Sequence, residues 1–293
     1  MQKTESETGN SKLITQNSEL SLGFSPCPND TFIFHALVHG LVACPGFGFR
    51  ERLEDVETLN RLVLGGALDV SKVSSHLLGF IRDDYCLLRS GGALGRGCGP
   101  LVVSAKHAGM EDLRGKRIAV PGRYTTAHLL LRLFDPALDG IVFLPFHEIM
   151  GAVQRGEADA GVIIHESRFT YGDYGLTKLL DLGEWWERDT GHPIPLGGIV
   201  AKRSLGGAAI AAIDRALRAS VAHAHAHPGA AGAYIRAHSQ EMSDEVCAAH
   251  IGLYVNDFSL DLGSEGEAAV ATLLARAEAA GLVPLSGKCL FTP

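Results

Sequence analysis

The stretch LNRLVLGGALDVSKVSS, residues 59–75, decides the architecture, because a second version of it follows about ninety residues later as IMGAVQRGEADAGVIIHE, residues 149–166. In both, apolar residues at helical spacing lead to a glycine (Gly66, Gly156), two further residues and an aspartate (Asp69, Asp159). Each copy then continues into a short apolar strand, VSKVSS in the first and GVIIHE in the second. Two matched positions make a weak repeat, so a second correspondence is needed.

That correspondence lies upstream of each copy. LSLGFSPCPNDTFIFHAL (20–37) reads as a strand, a proline-rich loop and a helix capped by Asn29 or Asp30. KRIAVPGRYTTAHLLLRL (116–133) reads as a strand, a Pro-Gly loop and a helix capped by Thr125 or Thr126. Each half thus opens strand–loop–helix and returns through helix–Gly-x-x-Asp–strand, the alternation of an α/β sheet. PLVVSAK (100–106) and PLGGIVAKR (195–203) carry the chain from the first half to the second and back. Three helical segments follow, the last opening with a capping box at Ser264 and Glu267, and are expected to cover the first lobe. The expected fold is two α/β lobes with mostly parallel sheets, joined by two crossing hinge strands. Residues 1–20 form a disordered tail, 21–103 and 204–293 a discontinuous lobe one, and 104–203 lobe two.

Composition narrows the function. The 293 residues suffice for two ordinary domains, and 46% apolar content fills two cores. Net charge is −7 with both signs interspersed and no basic stripe, which argues against nucleic acid. Residues 1–20 lack the apolar region of a signal peptide, and no apolar run approaches the ~20 residues of a membrane-spanning helix. The six cysteines form no C-x-x-C and no recurring spacing, as expected of reduced thiols in a cytoplasmic protein.

Ligands of open α/β sheets bind beyond the carboxyl ends of the strands. That rule marks four patches: Ser25 to Asn29, Lys72 to Ser74, Pro121 to Thr126, and His165 to Arg168. With the lobes face to face, all four line one cleft. The hydroxyls of Thr125 and Thr126, with a helix N-terminus behind them, suit a carboxylate. Lys72 and Ser74 offer a cation and a hydroxyl from the other side. His165 ends the most apolar short strand and, with an ordinary pKa of ~6.5, can accept a proton at neutral pH. Either Glu166 or a backbone carbonyl fixes its tautomer. Each residue also has a plain reading: a strand-end histidine on the surface, a helix cap, a solvated lysine.

Other motifs carry less. His223 and His227 of HAHAH stand four apart, as metal ligands on a helix do, but no third ligand lies nearby. GGALGRGCG (91–99) leads into a strand and so fails as a dinucleotide loop. Trp185 and Trp186 read as packing or cleft rim.

Several segments together resemble the 1,4-dihydroxy-6-naphthoate synthase family of the futalosine route to menaquinone. They are SPCPNDTFIFHALVHG (25–40), EDVETLNRL (54–62), RSGGALGRGCGPLVV (89–103), AVPGRYTTA (119–127), IIHESRFTYGDYGL (163–176), DLGEWWE (181–187), PLGGIVAKR and SDEVCAAHIGLYVNDFSLDLG (243–263). The resemblance runs from about Leu20 onward and implies a periplasmic-binding-protein-like (type II) fold. It implies a cofactor-independent lyase that converts cyclic dehypoxanthinylfutalosine to 1,4-dihydroxy-6-naphthoate and dihydroxyacetone. By motif, His165 is its catalytic base, Lys72, Val73 and Ser74 its first substrate-contact segment, and Thr125 and Thr126 its second, with no metal. The implied partner is a carboxylated bicyclic futalosine derivative; oligomeric state is not legible. The rivals are chorismate dehydratase, a sister enzyme of the same fold, and a non-catalytic carboxylate-binding solute receptor, which would require export.

Overall fold

The computed structural model of the chain describes residues 18–239 and 243–291. Residues 1–17 of the expected tail lie outside the described residues, whereas Ser18, Glu19 and Leu20 already belong to the first strand.

Strands β1 (Ser18–Phe24), β2 (Phe47–Leu53), β3 (Val70–Ser74), β4 (Tyr85–Leu87) and β5 (Ala93–Gly95) form one sheet together with β11 (Ile194–Lys202). Its order is β2-β1-β3-β11-β4, with β5 also pairing with β11. Strands β6 (Leu101–Ser104), β7 (Ile118–Val120), β8 (Ile141–Phe143), β9 (Ala160–Ile163) and β10 (Thr177–Asp181) form the second, in the order β10-β6-β9-β7-β8. The two sheets repeat one plan: β2-β1-β3 matches β8-β7-β9, and the sequence repeat falls on β3 and β9.

Two expectations need correction. The sheets are mixed instead of mostly parallel: β1 pairs in parallel with β2 and β3, and β7 with β8 and β9. The crossing strands run antiparallel, β11 against β3 and β6 against β9. A strand that arrives from the other lobe enters its new sheet without a crossover helix, so it has no reason to run parallel. For the same reason the expected lobe boundaries shift. Hydrogen bonding places β11 in the first sheet and β6 in the second, whereas the boundaries at 103/104 and 203/204 put them the other way round.

Both faces of the first sheet are covered. One packs on helices Pro28–Val38 and Gly207–Ala226 through Phe24, Phe34, Ile213 and Leu217. The other packs on helices Val56–Leu64 and Gly263–Ala279 through Leu59, Val73 and Val270. Two-sided burial explains why VSKVS reads without polar alternation: all five residues are buried. The last helix does more than cover lobe one, since Leu273 and Ala277 pack with Leu129 and Leu130 of lobe two. Its expected capping box is absent; the helix starts after Leu262, and Glu267 pairs with Arg89 at 2.8 Å.

The approach to β6 is tightly built. A Cβ placed on Gly99 would stand 2.3 Å from the Gly183 backbone, so the entry to β6 touches the first turn of the helix Leu182–Thr190 where only glycine fits. Arg168 ties this entry to the cap of that helix: it donates to Gly99 O at 2.5 Å and to the Asp181 carboxylate at 2.6 Å. Trp186 is fully buried, with Nε1 donating to Pro193 O at 3.1 Å.

Candidate active site

Ser25, Lys72, Val73, Ser74, Thr125, Thr126 and His165 line one cleft, together with Asn29, Asp30 and Tyr254. All six residues expected to act on a substrate are thereby brought together. Arg168 is not among them; its guanidinium is spent on Gly99 O and the Asp181 carboxylate.

His165 is the one non-glycine residue with positive φ among the described residues, at 56°. Strand β9 ends at Ile163, and the helix Ser167–Thr170 begins two residues after His165. The left-handed residue turns the chain between them and aims the imidazole into the cleft. An imidazole side chain in this region carries backbone strain of ~1–3 kcal/mol, which the packed strand and helix must hold in place. Such strain is a feature of functional positions.

Packing, and no hydrogen bond among the described residues, fixes the ring. Phe146 meets it edge-on at 5.4 Å between centroids, and His250 lies nearly parallel to it at 6.0 Å. Burial lowers the pKa of His165, while the nearby charges of Glu166 and Asp30 pull it back up. The ring is therefore neutral at pH 7 and free to take a proton. Neither expected tautomer partner is in place: Glu166 stands within 4.8 Å of the ring and makes no hydrogen bond to it, and its Oε2 is buried without a partner.

A polar chain stands behind the base. Lys72 Nζ donates to Asp30 Oδ1 at 2.8 Å, with both side chains buried. The Asn29 amide also donates to Asp30 Oδ1, at 2.9 Å, which leaves Asn29 Oδ1 to accept from His250 Nε2 at 2.9 Å. The network therefore assigns the proton of neutral His250 to Nε2. Burial opposes a charged Asp30, but the Lys72 charge and hydrogen bond, with help from Ser25, win and hold its pKa below the ordinary value. Asn29 and Asp30 are thus not helix caps; the cap position is Cys27, followed by Pro28. Val73 is wholly buried in the lobe-one core. Ser74 accepts from Asn60 Nδ2 at 3.1 Å, which leaves its proton free to donate to a ligand.

The threonine pair differs from expectation. Thr125 caps the helix Thr126–Phe134, accepting from the His128 amide at 3.3 Å, and donates to Gly122 O at 2.8 Å. Thr126 Oγ1 donates to Leu196 O at 2.7 Å. Both hydroxyl protons are engaged, so the donors facing an anion are the first amides of the helix, at Thr126 and Ala127.

One set of possible metal donors occurs among the described residues, Cys27, His165 and Glu166, within 4.8 Å of one another. Burial, then the Glu166 charge, holds the Cys27 thiol well above its ordinary pKa, so this site favours a protonated sulfur over a metal thiolate. No such set forms around His223 and His227 among the described residues.

The cleft encloses only about 70 Å³, against ~300 Å³ or more for typical ligand sites. At that volume a bicyclic ring system enters only if the walls of the cleft part.

A sequence profile described as menaquinone biosynthesis matches residues 20–279. The chain belongs to that family. Within it, the Thermus thermophilus relative named 1,4-dihydroxy-6-naphthoate synthase is 55% identical over 276 residues, 93% of this chain and 98% of that protein. The Streptomyces coelicolor relative of the same name is 52% identical over 274 residues, 92% of this chain and 96% of that protein. Among solved structures, a protein of Archaeoglobus fulgidus superposes with a TM-score of 0.84 at 37% identity, covering 90% of this chain and 98% of that one. The alkanesulfonate-binding protein of Xanthomonas axonopodis pv. citri, at 16% identity and TM-score 0.68 over 92% of this chain and 95% of its own, shares the periplasmic-binding-protein-like fold alone. No helix among the described residues is long and apolar enough to cross a membrane.

Sequence reasoning missed His250 and the Asp30–Lys72 pair. Both depend on contacts over long separations, 221 residues for His250 to Asn29 and 42 for Lys72 to Asp30. The quoted segment SDEVCAAHIGLYVN carries His250 mid-helix, without any spacing to mark it.

Proposed function

We propose that the chain is a cytoplasmic, cofactor-independent lyase that converts cyclic dehypoxanthinylfutalosine to 1,4-dihydroxy-6-naphthoate and dihydroxyacetone. One observation carries the reading: a neutral histidine, strained into the left-handed region, stands in a cleft with a helix N-terminus and a buried lysine–aspartate pair. The substrate carboxylate binds the amides of Thr126 and Ala127, and its sugar-derived hydroxyls meet Ser74 and the Lys72–Asp30 pair. His165 removes a proton from the substrate to start ring opening and carbon–carbon cleavage. Formation of an aromatic ring drives the cleavage, so placed bases and donors suffice, and a base of this kind contributes ~10²–10⁴-fold. Closure of the lobes keeps water from the intermediates.

The test offers the purified protein cyclic dehypoxanthinylfutalosine and chorismate separately, with a chelator present, and follows products by mass spectrometry. Dihydroxynaphthoate from the first substrate alone supports the reading. Turnover of chorismate moves the chain to the sister activity, and unchanged, bound substrate moves it to the receptor class.

A further inference from the structure

A second cavity, of about 320 Å³, lies on the far side of the threonine pair from the cleft. Its walls come from both lobes: His76 and Phe80 follow β3, Leu282 follows the last helix, and Arg123, His128 and Arg132 belong to lobe two. The proposed reaction has no use for it.

Two properties set it apart. Aromatic edges line it, with Phe80 against Tyr124 at 5.5 Å, Phe143 against His128 at 5.3 Å, and the Arg123 guanidinium 5.8 Å above the Phe143 ring. It is also positive without compensation. None of its lining residues is acidic, and Arg132 Nε is buried without a hydrogen-bond partner. The Glu57 carboxylate, which reaches the cavity wall, is spent on the Arg123 and Tyr124 amides at 3.1 Å and on Arg61. Burial, and then the charges of Arg132 and Arg123, hold the His128 pKa low, so both guanidinium charges are felt in the cavity. Arg132 is half-buried and Arg123 exposed, so their charges are only partly screened by solvent, and an anion gains by pairing with them.

We infer that this cavity is a binding site for a small aromatic carboxylate of one or two rings. Its carboxylate pairs with Arg132 and Arg123, and its ring lies between Phe80, Tyr124 and Phe143. The volume stands at the low end for ligand sites, which fits such a molecule better than a nucleotide. Because the walls belong to both lobes, an occupant favours the closed arrangement over the open one. The wall is shared with the cleft: the His76 amide donates to Thr126 Oγ1 at 3.3 Å, and His76 Nδ1 donates to Thr125 O at 3.2 Å.

The test is calorimetric titration of the full chain with 2-naphthoate, 2-naphthol, adenosine monophosphate and inorganic phosphate. It is run on wild type, Arg132→Gln, Arg123→Gln and the cleft variant Ser74→Ala, each checked for thermal melting. The expected result is saturable binding of 2-naphthoate that weakens tenfold or more in either arginine variant and persists in Ser74→Ala. Arg132→Gln is expected to melt no lower than wild type, since the arginine has no partner to lose. If Arg132→Gln fails to fold, Arg123→Gln decides. Binding that Ser74→Ala abolishes and the arginine variants keep, tighter binding of 2-naphthol, a preference for adenosine monophosphate or phosphate, or no binding at all would each overturn the assignment. None of these results depends on which reaction the cleft performs.

Discussion

The rings of His165 and His250 lie within 17° of parallel with centroids 6.0 Å apart, although one follows a strand of the second sheet and the other sits mid-helix 85 residues later. His250 is fully buried and tied through Asn29 to Asp30, so the charged pair of lobe one backs the base offered by lobe two. His250→Phe keeps a ring beside His165 but removes that tie. Turnover is expected to fall by up to about 100-fold, the scale of a small misplacement of a catalytic group. Steady-state rates on folded variant check this, and an unchanged kcat contradicts the positioning role.

Acid is expected to destabilise the fold early. Burial depresses His250 to about 3 and His76 to about 4, and lowers His165 as well. The unfolded chain takes up these protons near pH ~6.5, before the folded one does. The stability is thus complete above that pH and declines as pH falls towards 4. Asp30, held below its ordinary value, adds a second loss at lower pH. Urea denaturation at pH 7.5, 6 and 5 should show the first loss, and His250→Phe should make it shallower.

Lys72→Met leaves Asp30 buried with its main counter-charge gone. The expected loss is about 3–5 kcal/mol, read from urea denaturation at pH 7.5. A loss under ~1 kcal/mol would mean that the pair is solvated and worth no more than a surface ion pair.

Gly99→Ala forces a methyl against the Gly183 backbone where the chain enters β6. Overpacking of this kind costs about 1–3 kcal/mol. A drop in melting temperature together with weaker substrate binding is expected, because Cys98 and Pro100 on either side of Gly99 line the cleft. Gly97→Ala, whose added methyl would meet nothing within 4 Å, controls for local crowding but retains the strain of a positive φ.

Much of this was legible in the chain. The Gly-x-x-Asp repeat located β3 and β9, and the strand-end rule then selected residues that line one cleft. The sequence could not show that β6 and β11 insert antiparallel, because two buried apolar strands look alike whichever way they run. Nor could it show that the hydroxyls of Thr125 and Thr126 are spent on Gly122 and Leu196, or that Arg168 is spent on Gly99 and Asp181. Those are choices among hydrogen-bond partners, made only once distant segments meet. The positive φ of His165 was equally silent, since histidine does not advertise the left-handed region as glycine does.

The central claim is that His165 is the base. The most direct measurement compares the rate of dihydroxynaphthoate formation by wild type and His165→Asn. Asparagine tolerates the left-handed backbone at this position, so the exchange removes the imidazole without breaking the turn. The account predicts an unchanged melting temperature and a fall in kcat of ~10²–10⁴-fold. A folded His165→Asn protein that turns over within about threefold of wild type would contradict it, since a catalytic base is worth far more.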